Sequence, residues 1–163
     1  MPIVVLGIDP GIASMGYGFV QETNGELRAI DYGCLHTPSS SSIDIRLRSL
    51  YWDLVDLINR YKPAEIAIEL FIARNLRTAL IVGQARGIAI LAAANKDVPI
   101  YEYTPLEVKQ RICGYGRGDK KQVQEMVRMQ LGLSAVPQPD DTADALAIAI
   151  CRLGEARLSQ YMK

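Results

Sequence analysis

Two short apolar runs in this chain each end in a carboxylate: residues 4–8 (VVLGI) lead into Asp9, and residues 66–68 (IAI) lead into Glu69. A strand that is apolar on both sides belongs in a sheet whose two faces are covered, so both runs read as mid-sheet strands under helices. A carboxylate at the end of such a strand needs a partner, because an unpaired buried charge is costly. Ligand sites in α/β sheets collect at those strand ends. If the two strands are neighbours, Asp9 and Glu69 face each other across one pocket.

The residues between and beyond these runs supply the rest of a sheet. In residues 16–22, Tyr17, Phe19 and Gln21 fall on one side, with Gly18 and Val20 on the other. Asn24-Gly25 is a strong hairpin signal, and a third strand is expected over 27–36. Ser41 and Asp44 have capping-box spacing ahead of a helix carrying Leu47, Leu50, Tyr51, Leu54, Leu57 and Ile58, which Pro63 ends. A fourth strand (65–70), a helix (75–95) and a short fifth strand (100–103) follow. Thr104-Pro105 opens a helix that closes at Gly114, Asp119 caps the next, Gly132 ends it, and a last helix begins near Asp140. This order predicts an α/β fold: a mixed five-stranded sheet, half built by hairpins and half by helix crossovers, with helices on both faces. Its 163 residues suffice for one core, expected over 1–155 with a short tail at 156–163.

Net charge is zero, but the signs are segregated. Residues 71–128 carry ten basic side chains, Arg74, Lys109, Lys120 and Lys121 among them, against five acidic ones. That distribution suits a basic groove beside an acidic pocket, although solvated helix faces give the same count. Three cysteines without CxxC spacing read as reduced core or surface thiols. The longest apolar stretch, 85–94, is broken by Arg86 and is short for a bilayer, and the N-terminus has no basic leader. The expectation is a cytoplasmic protein that meets no membrane.

A third group of acids lies in residues 139–150 (PDDTADALAIAI). Asp141 and Asp144 share a helix face; so do Asp140 and Asp144, and periodicity does not choose between them. Acids in a first helical turn also serve simply as dipole or capping groups. If these acids join Asp9 and Glu69, their repulsion requires a cation. Hard oxygen donors without a Cys or His cluster point to Mg²⁺, with Mn²⁺ as a substitute. Two such ions about 4 Å apart would activate water and clamp a phosphodiester.

The residues GIDPG (7–11) with Gly16 and Gly18, AIE (67–69), GQARG (83–87), EVKQ (107–110), DKKQVQ (119–124) and DDTADALAIAI (140–150) together resemble the RuvC family of junction resolvases. The resemblance spans about 140 residues and implies a ribonuclease-H-like fold. It further implies that Asp9, Glu69, Asp141 and Asp144 are the metal-binding catalytic carboxylates, the D-x-x-D-A-L-A pattern selecting Asp141 over Asp140. It implies a homodimer that nicks four-way junction DNA symmetrically during recombination and repair, assisted by a branch-migration helicase complex. Lys109 and Lys120 match lysines that contact DNA near the scissile phosphate, and Arg74, Lys121, Tyr115 and Arg117 suit phosphate contact beside them.

One departure concerns Phe71. The family places two residues between the catalytic Glu and a base-stacking Phe; here only Leu70 intervenes. In an extended strand Phe71 would then point to the opposite side unless the backbone bulges, so base stacking, which the resemblance implies for this DNA-binding residue, and core packing stand as equal alternatives. Gly83 and Gly87 suggest close packing, on the sheet or across a dimer interface, with the sheet preferred. His36 is expected to be exposed and Trp52 to pack. Two rival functions remain: an actin-like phosphotransferase using Asp9, which would need a second phosphate loop, and a junction-binding protein without cleavage.

Overall fold

The computed structural model describes residues 1–114 and 118–163; Tyr115 and Arg117 lie outside the described residues. Among these, five strands and five helices follow in the order β1 (Ile3–Asp9), β2 (Ser14–Thr23), β3 (Glu26–His36), α1 (Ile43–Tyr61), β4 (Glu65–Glu69), α2 (Leu76–Asn95), β5 (Ile100–Tyr103), α3 (Pro105–Cys113), α4 (Lys120–Gln130) and α5 (Asp140–Tyr161). The sheet order is β3-β2-β1-β4-β5. β1 pairs antiparallel with β2 and parallel with β4, which puts it at the centre of a mixed sheet.

Strand alternation divides the core in two. Leu6, Ile8, Phe19, Ile66 and Ile68 face α1 and α2. Val5, Val20, Ala67 and Tyr103 face α5, with α3 and α4 packed beside it. Gly7 and Gly16 are needed on the α5 side: a Cβ on Gly7 would lie 1.9 Å from the Ala145 carbonyl oxygen, and one on Gly16 would lie 2.1 Å from that of Asp141. These contacts seat α5 directly on β1 and β2.

Local signals set most boundaries. Thr104 forms a capping box with Glu107, and Asp119 forms one with Gln122. Asn75 caps α2 by accepting from the Thr78 amide. The cap of α1 is Ser42 rather than Ser41, without a side-chain cap bond. A serine run offers several equivalent starts, and Asp44 instead hydrogen-bonds Ser42. The last helix continues to Tyr161, so residues 156–161 extend α5.

Three packing expectations change. A Cβ on Gly83 or Gly87 would meet nothing within 4 Å, so neither glycine packs on the sheet. Both lie on an exposed side of α2 with Leu76, Leu80 and Leu91. By length and composition alone α2 could cross a membrane, because the apolar stretch continues well before residue 85. Trp52 is exposed, meeting Tyr51 edge-on rather than entering the core. The three cysteines are free; Cys151 is buried, which pushes its thiol up to about 12.

Candidate metal centre and nucleic-acid face

Three elements bring their acids to one place. Asp9 ends β1 beside Glu69, which ends β4; the parallel pairing of Ile8 with Ile68 sets them side by side. The first turns of α5 lie over both because Gly16, opposite Asp9 in the β1–β2 register, lets the Asp141 backbone approach. Oxygens of Asp9, Asp141 and Asp144 all lie within 4.8 Å of one another. Glu69 joins them through a hydrogen bond with Asp9.

The electrostatics show crowding. Burial, then the hydrogen bond and charge of Glu69, then Asp144 and Asp141, push the Asp9 carboxyl up to about 10. Burial raises Asp144 to about 6; Lys120 opposes the shift, and the charges of Glu69, Asp141 and Asp140 add to it. Such a cluster holds protons unless a cation replaces them. An all-carboxylate donor set of this spacing fits a hard divalent ion.

Asp140 has different contacts from Asp141. Its carboxylate sits 3.1 Å from the Lys120 ammonium and accepts a hydrogen bond from Gln124 Nε2. Lys120 also lies 3.9 Å from Asp144. Burial alone would lower the Lys120 pKa, but the Asp140 hydrogen bond and the charges of Asp144, Asp140 and Asp141 together raise it. The helix cap is Pro139, which has no side-chain cap bond. Of the two acids that share a face with Asp144 or adjoin it, Asp141 lies in the three-acid cluster and Asp140 pairs with Lys120 and Gln124.

Lys109 and Lys120 line a cavity of about 170 Å³ with Glu69 and Asp144, beside apolar Val108, Val123 and Ile148. Lys121 is exposed at the start of α4, and Arg74 is exposed just before α2. Phe71 is 48% exposed. The strand stops at Glu69, so alternation does not carry Phe71 into the core, and of the two alternatives for it core packing falls away. His36 is exposed at the end of β3.

A central parallel strand pair with an acid on each strand, completed by two acids on a crossing helix, defines a ribonuclease-H-like protein built to bind divalent ions. The family model for "Crossover junction endodeoxyribonuclease RuvC" matches residues 5–152. A relative of that name from Desulfitobacterium hafniense is 50% identical over 161 residues, covering 98% of both chains. Another from Chloroflexus aurantiacus is 56% identical over 147 residues, covering 90% of both. The T. thermophilus RuvC structure in complex with Holliday junction substrate superposes with a TM-score of 0.93 at 34% identity, covering 96% of each chain. The chain belongs to the crossover junction endodeoxyribonuclease RuvC family. Its class is therefore that of endodeoxyribonucleases, and the actin-like phosphotransferase alternative is set aside.

Proposed function

We propose that this protein resolves Holliday junctions by hydrolysing phosphodiesters in paired, symmetric nicks at four-way DNA. The observation that carries the reading is the meeting of Asp9, Asp141 and Asp144 oxygens, with Glu69 hydrogen-bonded to Asp9, inside a chain of this family. Asp9, Glu69, Asp141 and Asp144 are the catalytic carboxylates and would hold Mg²⁺, with Mn²⁺ as a substitute and two ions per site. Bound there, such ions supply Lewis-acid stabilisation of the phosphate and a nucleophilic water.

The chain's own groups do the positioning. Lys109 and Lys120 hold the backbone phosphate at the edge of the carboxylate cluster, and Asp140 with Gln124 keeps the Lys120 ammonium over the site until DNA arrives. Arg74 and Lys121 extend the phosphate contacts on the same basic segment. Phe71, exposed one residue past Leu70, stacks on an unpaired junction base.

Two symmetric nicks need two sites, and the working form is a homodimer. The exposed stripe of Leu76, Leu80, Gly83, Gly87 and Leu91 on α2 supports this reading: among the described residues its apolar surface has no cover, and its glycines let a second backbone come close. A branch-migration helicase complex is the proposed partner in the cell, with the cytoplasm as the compartment.

The test is a labelled four-way junction incubated with and without Mg²⁺. Paired nicks at symmetric positions on opposing strands, dependent on the metal, are expected. Metal-independent cutting, or equal cutting of linear duplex, would refute the proposal.

A further inference from the structure

On the α5 face of the sheet, away from the metal cluster, a second set of charged groups joins the same elements. Arg152 of α5 donates from Nε to Glu65 Oε2 at 2.6 Å and from a terminal nitrogen to Oε1 at 3.1 Å. The two side chains are only 10% and 21% exposed. The guanidinium carbon lies 3.5 Å from the centroid of the Tyr101 ring of β5. A third nitrogen donates to Glu155 at 3.2 Å, and Glu155 also accepts from the Tyr103 hydroxyl and from Arg111 of α3 at 3.4 Å.

The placement relates this set to the site. Glu65 begins β4 and Glu69 ends it, on the same side of the strand and about 13 Å apart. Arg152 follows Asp141 by three helical turns, about 16 Å, and lies close to the same helix face. Glu69 pairs in register with Tyr103 of β5. β4 and α5 therefore run as two rails, bridged at one end by opposite charges and crowded at the other by like charges.

The surface between α5 and the sheet combines small groups, Gly7, Ala67, Ala145 and Ala149, with Val5, Val20 and Leu146, the last seated against Gly18. Those contacts hold α5 against β1 and β2; the link from α5 to β4 at the far end of the strand is polar and directional. A planar fork bonded at two points and stacked on a ring fixes both position and orientation.

We infer that Arg152 is a positioning residue for the metal site: through its two-point grip on Glu65 and its stacking on Tyr101 it sets the axial register of α5 against β4, and so the place of Asp141 and Asp144 relative to Asp9 and Glu69. The inference rests on the proposed metal-binding role of those four acids.

The experiment measures Mn²⁺ binding to the DNA-free protein by electron paramagnetic resonance, and separately the Mg²⁺ concentration for half-maximal junction nicking. Arg152→Met keeps a chain long enough to lie on Tyr101 but removes the charge and the fork. It is expected to weaken Mn²⁺ binding by roughly 10–100-fold, as loss of an outer support of a metal site does. Half-saturating Mg²⁺ rises by the same factor, nicking at saturating Mn²⁺ returns to within a few-fold of wild type, and junction binding without a divalent ion stays unchanged. A folded Arg152→Met protein with wild-type Mn²⁺ affinity would overturn the inference and leave the pair a purely structural one. If Arg152→Met does not fold, Arg152→Lys carries the same test, since it keeps the charge without the fork: weaker Mn²⁺ binding supports the inference and unchanged binding overturns it. A wild-type protein that binds no Mn²⁺ would instead bring down the metal site itself, and this inference with it.

Discussion

Asp9 is hydrogen-bonded to Glu69 across the ends of two adjacent parallel strands, where burial and the neighbouring acids favour the protonated form of Asp9. With Asp9 pushed up to about 10, the metal-free folded chain keeps a proton on it that the unfolded chain loses near pH 4. Between those values rising pH favours unfolding, by at most about 1.4 kcal/mol per unit for one carboxyl. The melting temperature in EDTA should therefore fall from pH 6 to pH 9, and millimolar Mg²⁺ should reverse the trend because the ion binds the ionised acids. Thermal scans at several pH values, with and without Mg²⁺, read both slopes. A metal-free stability that rises over this range would contradict the crowded cluster.

Asp9→Asn should abolish Mg²⁺-dependent nicking, by more than about a hundredfold. Junction binding, which depends on the basic face, should stay close to wild type. Parallel cleavage and mobility-shift assays measure the two effects. Because Asp9 already keeps its proton in the metal-free chain, a neutral amide replaces a neutral carboxyl there, and the metal-free variant should melt no lower than wild type.

Asp140 and Asp141 provide an internal contrast. Asp141→Ala should remove metal binding, whereas Asp140→Ala should leave it in place, because Asp140 holds Lys120 instead of joining the cluster. The exposed Lys120–Asp140 pair contributes little to stability, because solvent screens it. Lys120→Met should lower cleavage and reduce the salt slope of junction binding by about one phosphate contact. Calorimetric Mn²⁺ titration of the two aspartate variants distinguishes these roles.

The α2 glycines separate chain from assembly. Within one chain a methyl at Gly83 or Gly87 meets nothing, so Gly83→Ala and Gly87→Ala should each stabilise the helix by up to about 1 kcal/mol. If two chains meet there, the bulkier Gly83→Leu should weaken the dimer while leaving the fold intact. Sedimentation equilibrium beside thermal melts shows both effects.

Much of this arrangement was readable from residue order because local physics wrote it. Apolar runs ending in Asp9 and Glu69, the Asn24-Gly25 turn and the caps at Thr104 and Asp119 each act within a few residues. What escaped depends on distant partners. Nothing near Asp140 announces that Lys120 and Gln124 will claim it and leave Asp141 to the cluster. Glu65 and Arg152 stand 87 residues apart, and each taken alone is an ordinary surface charge. Gly83 and Gly87 show that a small residue is wanted but not which neighbour wants it. Strand alternation does not reach Phe71, because β4 ends at Glu69.

The most direct measurement is anomalous diffraction from crystals soaked in Mn²⁺. A difference peak bounded by the carboxylates of Asp9, Glu69, Asp141 and Asp144, absent from Asp9→Asn crystals, is the predicted result. Manganese bound only elsewhere, with those four acids facing water, would contradict it.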